Sequence, residues 1–430
     1  MQRSTYPSPD QLKQLLMRPA FDITRLFDTV GAILHEVRDH GDQALKQYEL
    51  QFDKVQLTSL KVSADEIKEA GQQLPSELKQ ALQQAYHNIK AFHQAQVFRP
   101  IEVKIAPGVV CRQVAVPIQR VGLYIPGGSA PLFSTVLMLA VPAQIAGCSS
   151  VSLCTPPSRD GKVNPSILYA ASLCGVTDIY KVGGSQAIAA FTFGTESIPQ
   201  VDKIFGPGNQ YVMAAKQLAT LYGVAIDMPA GPSEVAVIAD QYADPRYVAA
   251  DLLSQAEHGP DSQVVLLSDS CELLDKVDQQ LSSQLSTLPR KEIAAKALSN
   301  SLAILTHSID EAIDISNEYA PEHLILAVKD YRQAADKVKC AGSVFEGPWS
   351  CESAGDYASG TNHTLPTKGY ARSYGGLSLD SFIRKMTFQE LSAEGIRSIG
   401  QTVMTMAREE SLEAHRRAME IRYQDVSNKK

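Results

Sequence analysis

Short β-branched runs that end in Gly or Pro and give way to a helical period recur from Val109 onward, and this alternation predicts an α/β protein built on parallel sheets. A second series of the same kind begins at Glu234 with EVAVIAD, so two such units follow one another in the chain. Its 430 residues also exceed what a single hydrophobic core usually organises.

Taken in order, residues 10–17 read as a short helix and residues 24–39 as a longer one stopped by Gly41. Ser63-Ala-Asp-Glu66 is a capping box that opens another, and helices dominate the first hundred residues. Three glycine-rich strand-to-helix junctions then resemble one another: GLYIPGGSAP at 122–131, YKVGGSQAIAAF at 180–191 and KIFGPGNQYVMAA at 203–215. Each sets glycines before a helix N-terminus, where free backbone N–H groups and the helix dipole can hold a phosphate. None is the full G-x-G-x-x-G fingerprint, so the units are Rossmann-like but incomplete, and each turn alone has a purely steric explanation.

In the second series Asp244 caps a helix that Pro245 opens and Gly259 closes. Strands are expected at 263–267, 302–306, 324–328 and 343–345, with Ser308 and Glu311 capping an intervening helix. The stretch 347–367, GPWSCESAGDYASGTNHTLPT, holds almost no aliphatic residue. Asp356, Asn362 and His363 gathered in such a loop suit a bound ligand, although polar glycine-containing loops are also ordinary surface. Beyond it the chain turns helical, and residues 401–423 read as a long terminal helix of the kind that packs across an oligomer interface.

A formal charge of -7, from 47 acidic and 40 basic residues with no basic stripe, argues against a nucleic-acid or anionic-membrane surface. The first residues lack a secretion pattern, and the most apolar stretch, 136–146, is broken by Pro142 and Gln144; a cytoplasmic address is expected. Seven cysteines without a C-x-x-C pair suggest neither a disulfide framework nor a thiolate zinc site, and they read as small buried hydrophobes. Cys351, inside the polar loop, has no base beside it in sequence, so the same structural reading is preferred there.

Gln255 and His258 share one face at the end of the helix closed by Gly259 and could contact one ion, while a His there is also favoured by the helix dipole alone. Glu322 and His323 follow Pro321 at the mouth of a strand, where a carboxylate and an imidazole could divide acid and base work. Neighbours on a strand point to opposite faces, so both reach one ligand only if the preceding turn distorts that alternation. Glu410 and His415, five apart, would stand about 140° from one another on a single helix. A solvated charged face is the default there. His35, His40, His87, His93 and His307 lack carboxylate or glycine context and carry no assigned role.

Six segments closely resemble the histidinol dehydrogenase family: YIPGGSAPLFSTVLMLA (124–140), IFGPGN (204–209), DMPAGPSEV (227–235), QAEHGPDSQ (255–263), APEHL (320–324) and SAGDYASGTNH (353–363). The resemblance covers essentially the whole chain. It implies an NAD-dependent oxidoreductase acting on a CH–OH group, which takes L-histidinol through L-histidinaldehyde to L-histidine, the last step of histidine biosynthesis. Two NAD molecules act in succession, with one zinc ion per site. Carried onto this chain, it makes Gln255, His258, Asp356 and His415 the zinc ligands and Glu322 and His323 the catalytic pair. Tyr124, Gln186 and Asn209, one per glycine-rich junction, match NAD contacts. Ser233 and His363 match substrate contacts, joined by Glu410, His323 and the four zinc ligands.

The family is a homodimer whose C-terminal segment completes the partner's site, so Glu410 and His415 would act in trans. The resemblance also implies a division into an N-terminal helical arm (1–25), a catalytic α/β domain (26–123 with 235–372), an NAD-contacting α/β domain (124–234) and a C-terminal helical tail (373–430). The competing reading is a related zinc- and NAD-dependent dehydrogenase acting on another small alcohol, such as a sulfonated diol; the presence of Glu410 and His363 favours histidinol. A zinc hydrolase would not need the glycine-rich junctions, and a non-catalytic scaffold would not need Glu322, His323 and four ligands together.

Overall fold

Strands Glu234–Ala239 and Gln263–Ser268 are buried at every position, the pattern of parallel strands covered on both faces. They lie at the centre of a six-stranded parallel sheet ordered Gln2–Thr5, Leu302–Leu305, Gln263–Ser268, Glu234–Ala239, His323–Ala327 and Ser343–Glu346. A second parallel sheet runs Asp178–Lys181, Ser150–Thr155, Arg120–Tyr124, Lys203–Phe205 and Ala225–Ile226. The computed structural model describes residues 1–18, 23–127, 131–229 and 231–428. Gly128, Ser129 and Ala130 of the first glycine-rich junction and Ala230 of DMPAGPSEV lie outside the described residues. The two α/β units expected from the alternation are present, with the strands of the second series within a residue of their expected bounds.

Several features differ from expectation. The grouping of 26–123 with 235–372 is not how the chain packs. Val30, Leu34, Val37 and Leu45 of helix Phe27–Tyr48 enter one core with Tyr124 and helix Gly184–Phe193. Leu82, Ala85 and Ile89 of helix Ser76–Gln94 enter another with helix Phe133–Ala146. These apolar stripes thus cover the five-stranded sheet, and a boundary at residue 123 would cut its middle strand, Arg120–Tyr124. Gly41 also kinks the first long helix rather than ending it, taking φ 51° and ψ -131° inside Phe27–Tyr48. Glu196 accepts from the next amide, Asp42 N, at 2.8 Å, which satisfies a backbone group freed at the kink.

The arm and the tail are not purely helical. Strand Gln2–Thr5 precedes helix Pro9–Leu15 and adds an edge to the six-stranded sheet, while the Ser8–Gln11 capping box starts the helix. In the tail, strand Ile383–Leu391 pairs antiparallel with Val109–Pro117, which also pairs with Ile101–Ala106. The terminal helix is two helices, Ala393–Glu409 and Glu413–Asn428, separated by a turn in which Ser411 takes φ 59°. Cys154 and Cys174 are buried as expected, whereas Cys271 is exposed. No described helix is long and apolar enough to cross a membrane.

The glycine-rich junctions fall at the carboxyl ends of strands Arg120–Tyr124, Asp178–Lys181 and Lys203–Phe205, the edge at which open α/β sheets bind ligands. Gly206, in the third, takes φ 122°, and a Cβ there would collide with the Tyr124 carbonyl oxygen. Both its backbone groups are clamped by a buried ion pair. Lys216 Nζ donates to Gly206 O at 2.8 Å, Gly206 N donates to Asp227 Oδ2 at 2.8 Å, and Lys216 pairs with Asp227 Oδ1. Gly206→Ala is expected to lower stability by about 1–3 kcal/mol in thermal or urea unfolding, because φ and space both exclude the new methyl.

Candidate active site

Helix Ile309–Tyr319 ends on Ala320 in the left-handed region, φ 51°, and Pro321 follows before strand His323–Ala327 begins. That turn breaks the strand alternation, so Glu322 and His323 converge on a single neighbouring residue. Glu322 Oε2 accepts from Glu234 N at 2.9 Å, and His323 Nδ1 lies 3.3 Å from Glu234 O. A carbonyl only accepts, so Nδ1 carries the proton and Nε2 keeps its lone pair in the neutral ring.

His323 is enclosed by acids. Glu322 Oε2 lies 3.8 Å and Glu352 Oε1 4.0 Å from Nδ1, and Asp356 Oδ1 lies 3.6 Å from Nε2. Burial pushes Glu322 and Glu352 up to about 8. Burial opposes charge on His323 as well, but the three carboxylates outweigh it and push the imidazole up to about 10. Against its own burial, Asp356 is held below the usual carboxylate range, chiefly by the His323 imidazole 3.6 Å away.

This cluster has the chemistry of a cation site. His258, Glu352 and Asp356 each present one ligand atom, all within 4.8 Å of one another. The helix Glu352–Tyr357 packs on Pro245–Ala256, near whose end Gln255 and His258 stand. Gln255 is fully buried and neither of its side-chain amide atoms has a partner among the described residues, which costs free energy unless a ligand takes them up. Glu352 Oε2 and His323 Nε2 are likewise buried without partners. An imidazole, an amide and carboxylates suit a borderline divalent ion such as zinc, whose charge would offset the crowded acids.

His363 joins the cluster from the polar segment. Its Nδ1 donates to Asp356 O at 2.9 Å, and its Nε2 lies 3.2 Å from the hydroxyl of Thr135 at the start of helix Phe133–Ala146. That contact links the cluster to the five-stranded unit. There Tyr124, Gln186 and Asn209 line one cavity of 890 Å³ with Thr155, Gly184 and Tyr211. Tyr124 OH accepts from Gly184 N at 3.1 Å, and Gln186 Nε2 donates to the buried Glu49 Oε1 at 3.0 Å. Asn209 Oδ1 caps helix Gln210–Thr220, which leaves its amide N–H groups for a ligand. A cavity of this size over glycine turns at strand ends fits a dinucleotide.

The other expected residues share no described side-chain hydrogen bond or ion pair with the cluster. Ser233 is half-buried, and its carbonyl accepts from Gln263 N. Glu410 and His415 flank the turn between the two tail helices, both exposed, and no described hydrogen bond or ion pair joins their side chains to the cluster. The sequence reading misses Glu352, although Glu352 and Asp356 are the only acids in 347–367 and four residues apart, one face of a helical turn. Thr135 leaves no signal, since a threonine opening an apolar helix reads as a local cap.

Fold and site together define an α/β enzyme of the dehydrogenase class, with a dinucleotide-type crevice beside a buried acid–imidazole cluster. A family model described as histidinol dehydrogenase matches residues 16–423. The chain is 56% identical over 421 residues to the histidinol dehydrogenase of Bacteroides fragilis, covering 98% of each. It is 54% identical over 416 residues to that of Escherichia coli K12, covering 96% of this chain and 95% of the relative. The crystal structure of histidinol dehydrogenase from Elizabethkingia anophelis superposes with a TM-score of 0.98 at 53% identity, covering 100% and 99% of the two chains. The chain belongs to the histidinol dehydrogenase family.

The unpartnered amide of Gln255 should act on stability and on metal binding with opposite signs. Gln255→Leu is expected to raise the thermal midpoint of chelator-treated protein, because removing an unsatisfied buried amide relieves about 1–3 kcal/mol. The same variant is expected to weaken zinc binding in calorimetric titration. A lower midpoint with unchanged affinity would mean that Gln255 is an ordinary packing residue.

Proposed function

We propose that this chain oxidises L-histidinol to L-histidine in two successive NAD-linked steps at the cluster around His323. The observation that carries the reading is the convergence of Glu322 and His323 on the backbone of Glu234, which leaves His323 Nε2 buried, unpartnered and facing Asp356. Gln255, His258 and Asp356 would hold a zinc ion, with His415 supplied by a second copy of the chain, and Tyr124, Gln186 and Asn209 would contact NAD. When bound, zinc would fix the substrate's nitrogen donors by its charge, and NAD would accept the hydride.

The chain's own residues then divide the proton work. His323 in its neutral form, its tautomer set by Glu234 O, takes the hydroxyl proton at Nε2 as the alcohol is oxidised; the charge of bound zinc would offset the acids that otherwise keep the ring protonated. Glu322, held by Glu234 N–H, takes a proton from the water that adds to the aldehyde. His363 and Ser233 orient the substrate, with Thr135 and the Asp356 carbonyl fixing the imidazole of His363. Burial of the cluster keeps the aldehyde from bulk water between the two oxidations. The seven cysteines are all free thiols, which suits a cytoplasmic enzyme.

With limiting L-histidinol, NADH absorbance is expected to approach two equivalents per substrate, to vanish after chelation and to return with zinc. NADH from a different alcohol but none from histidinol would move the substrate assignment. The exposure of Glu410 and His415 supports a site completed between subunits. Mixed dimers of His323→Ala and His415→Ala chains are therefore expected to regain roughly a quarter of wild-type activity if subunits pair at random and one intact site forms per mixed dimer. No recovery on mixing would mean that each chain is self-contained.

A further inference from the structure

Glu234 serves the acid–base pair through its backbone, so whatever fixes Glu234 also fixes the pair. Its amide donates to Glu322 and its carbonyl accepts from His323. Its side chain turns the other way, is 3% exposed, and meets Arg18 from the N-terminal arm. Arg18 Nε and Nη2 grip both carboxylate oxygens, the second at 2.8 Å, and Lys368 N adds a third donor at 3.0 Å. The same Nη2 donates to Tyr319 O at 2.8 Å and reaches Ala320 O at 3.4 Å, and the guanidinium lies 3.9 Å from the centroid of the Tyr319 ring.

One guanidinium thus ties together the residue that holds Glu322 and the turn from which Glu322 and His323 project. The arm is anchored independently by strand Gln2–Thr5 on the sheet edge and by Leu16 in the core. We propose that Arg18 is a positioning residue for Glu322 and His323, acting through Glu234 and the Tyr319–Ala320 turn without touching substrate. The inference rests on the reading of Glu322 and His323 as the acid–base pair. A planar fork can serve a carboxylate and a carbonyl at fixed angles at once; an ammonium is a point charge and fixes no such plane.

The test compares Arg18→Lys, Arg18→Met and Arg18→Met/Glu234→Gln in the full-length zinc-loaded protein. In each variant kcat is expected to fall roughly ten- to a hundred-fold, with the KM for NAD and the zinc content unchanged. Arg18→Lys should retain more activity than Arg18→Met, and the double variant should lose no more than Arg18→Met, since both changes break one link. Wild-type kcat with only a lowered melting point would make Arg18 a structural strut and overturn the proposal. If burying an unpaired Glu234 prevents Arg18→Met from folding, Arg18→Lys and the charge-free double variant decide. A wild type inactive on histidinol would overturn the functional reading instead. Exchange of the Glu234 amide proton would then decide the role of Arg18, faster in Arg18→Lys if the arm positions the pair and unchanged if it does not.

Discussion

Three carboxylates buried around one imidazole are the constraint on which the rest of this structure depends. Like charges a few ångströms apart in a water-poor site repel strongly, and Glu322, Glu352 and Asp356 persist there only because each is engaged. Glu322 has a backbone donor, Asp356 has His323, and Glu352 leans on His323 with one oxygen unpartnered. A divalent cation, as proposed for this cluster, would answer the remaining excess of negative charge. The fully buried amide of Gln255, unpartnered among the described residues, would be intelligible on the same terms, as a neutral ligand for such a cation.

The two parallel sheets present opposite edges to the chemistry. In the five-stranded unit the carboxyl ends of the strands carry glycine turns, the usual place for a ligand crevice, held in shape by Lys216, Asp227 and Glu49 beneath them. In the six-stranded unit the acid–imidazole cluster gathers where strands Glu234–Ala239 and His323–Ala327 begin, close to the end of helix Pro245–Ala256. Burial pushes the Glu49 carboxyl behind Gln186 up to about 8, which disfavours negative charge beside a cavity proposed for a diphosphate. Thr135 and His363 join the two edges, one from each unit.

Much of this is legible in the chain because its signals are local. Glycine turns, the Asp244–Pro245 helix start and the apolar strands of the second unit report their own conformation. The rest depends on partners far away in sequence. Val30 and Leu34 announce an apolar helix face but not which sheet it covers, so nothing local in the first hundred residues corrects the grouping with 235–372 that the family resemblance implies. Strand Ile383–Leu391 is exposed along seven of its nine residues and therefore lacks the alternation that betrays a half-buried strand. The convergence of Glu322 and His323 hangs on one left-handed alanine, Ala320, a conformation that no side chain there announces.

The two ends of the chain depend on distant partners in opposite ways. The tail carries Glu410 at the exposed end of one helix and His415 in the first turn of the next, with chemistry and no partner among the described residues, the condition in which a second subunit has something to complete. The arm carries no catalytic chemistry, yet Arg18 reaches a carboxylate whose own peptide holds the acid–base pair. A strand residue can serve two sets of partners because its side chain and its in-sheet amide groups point in nearly perpendicular directions. Glu234 uses that geometry to join a buried ion pair to a buried active site. The precision of the site then depends on contacts more than 200 residues away in sequence, between Arg18 and Glu234 and between Arg18 and Tyr319.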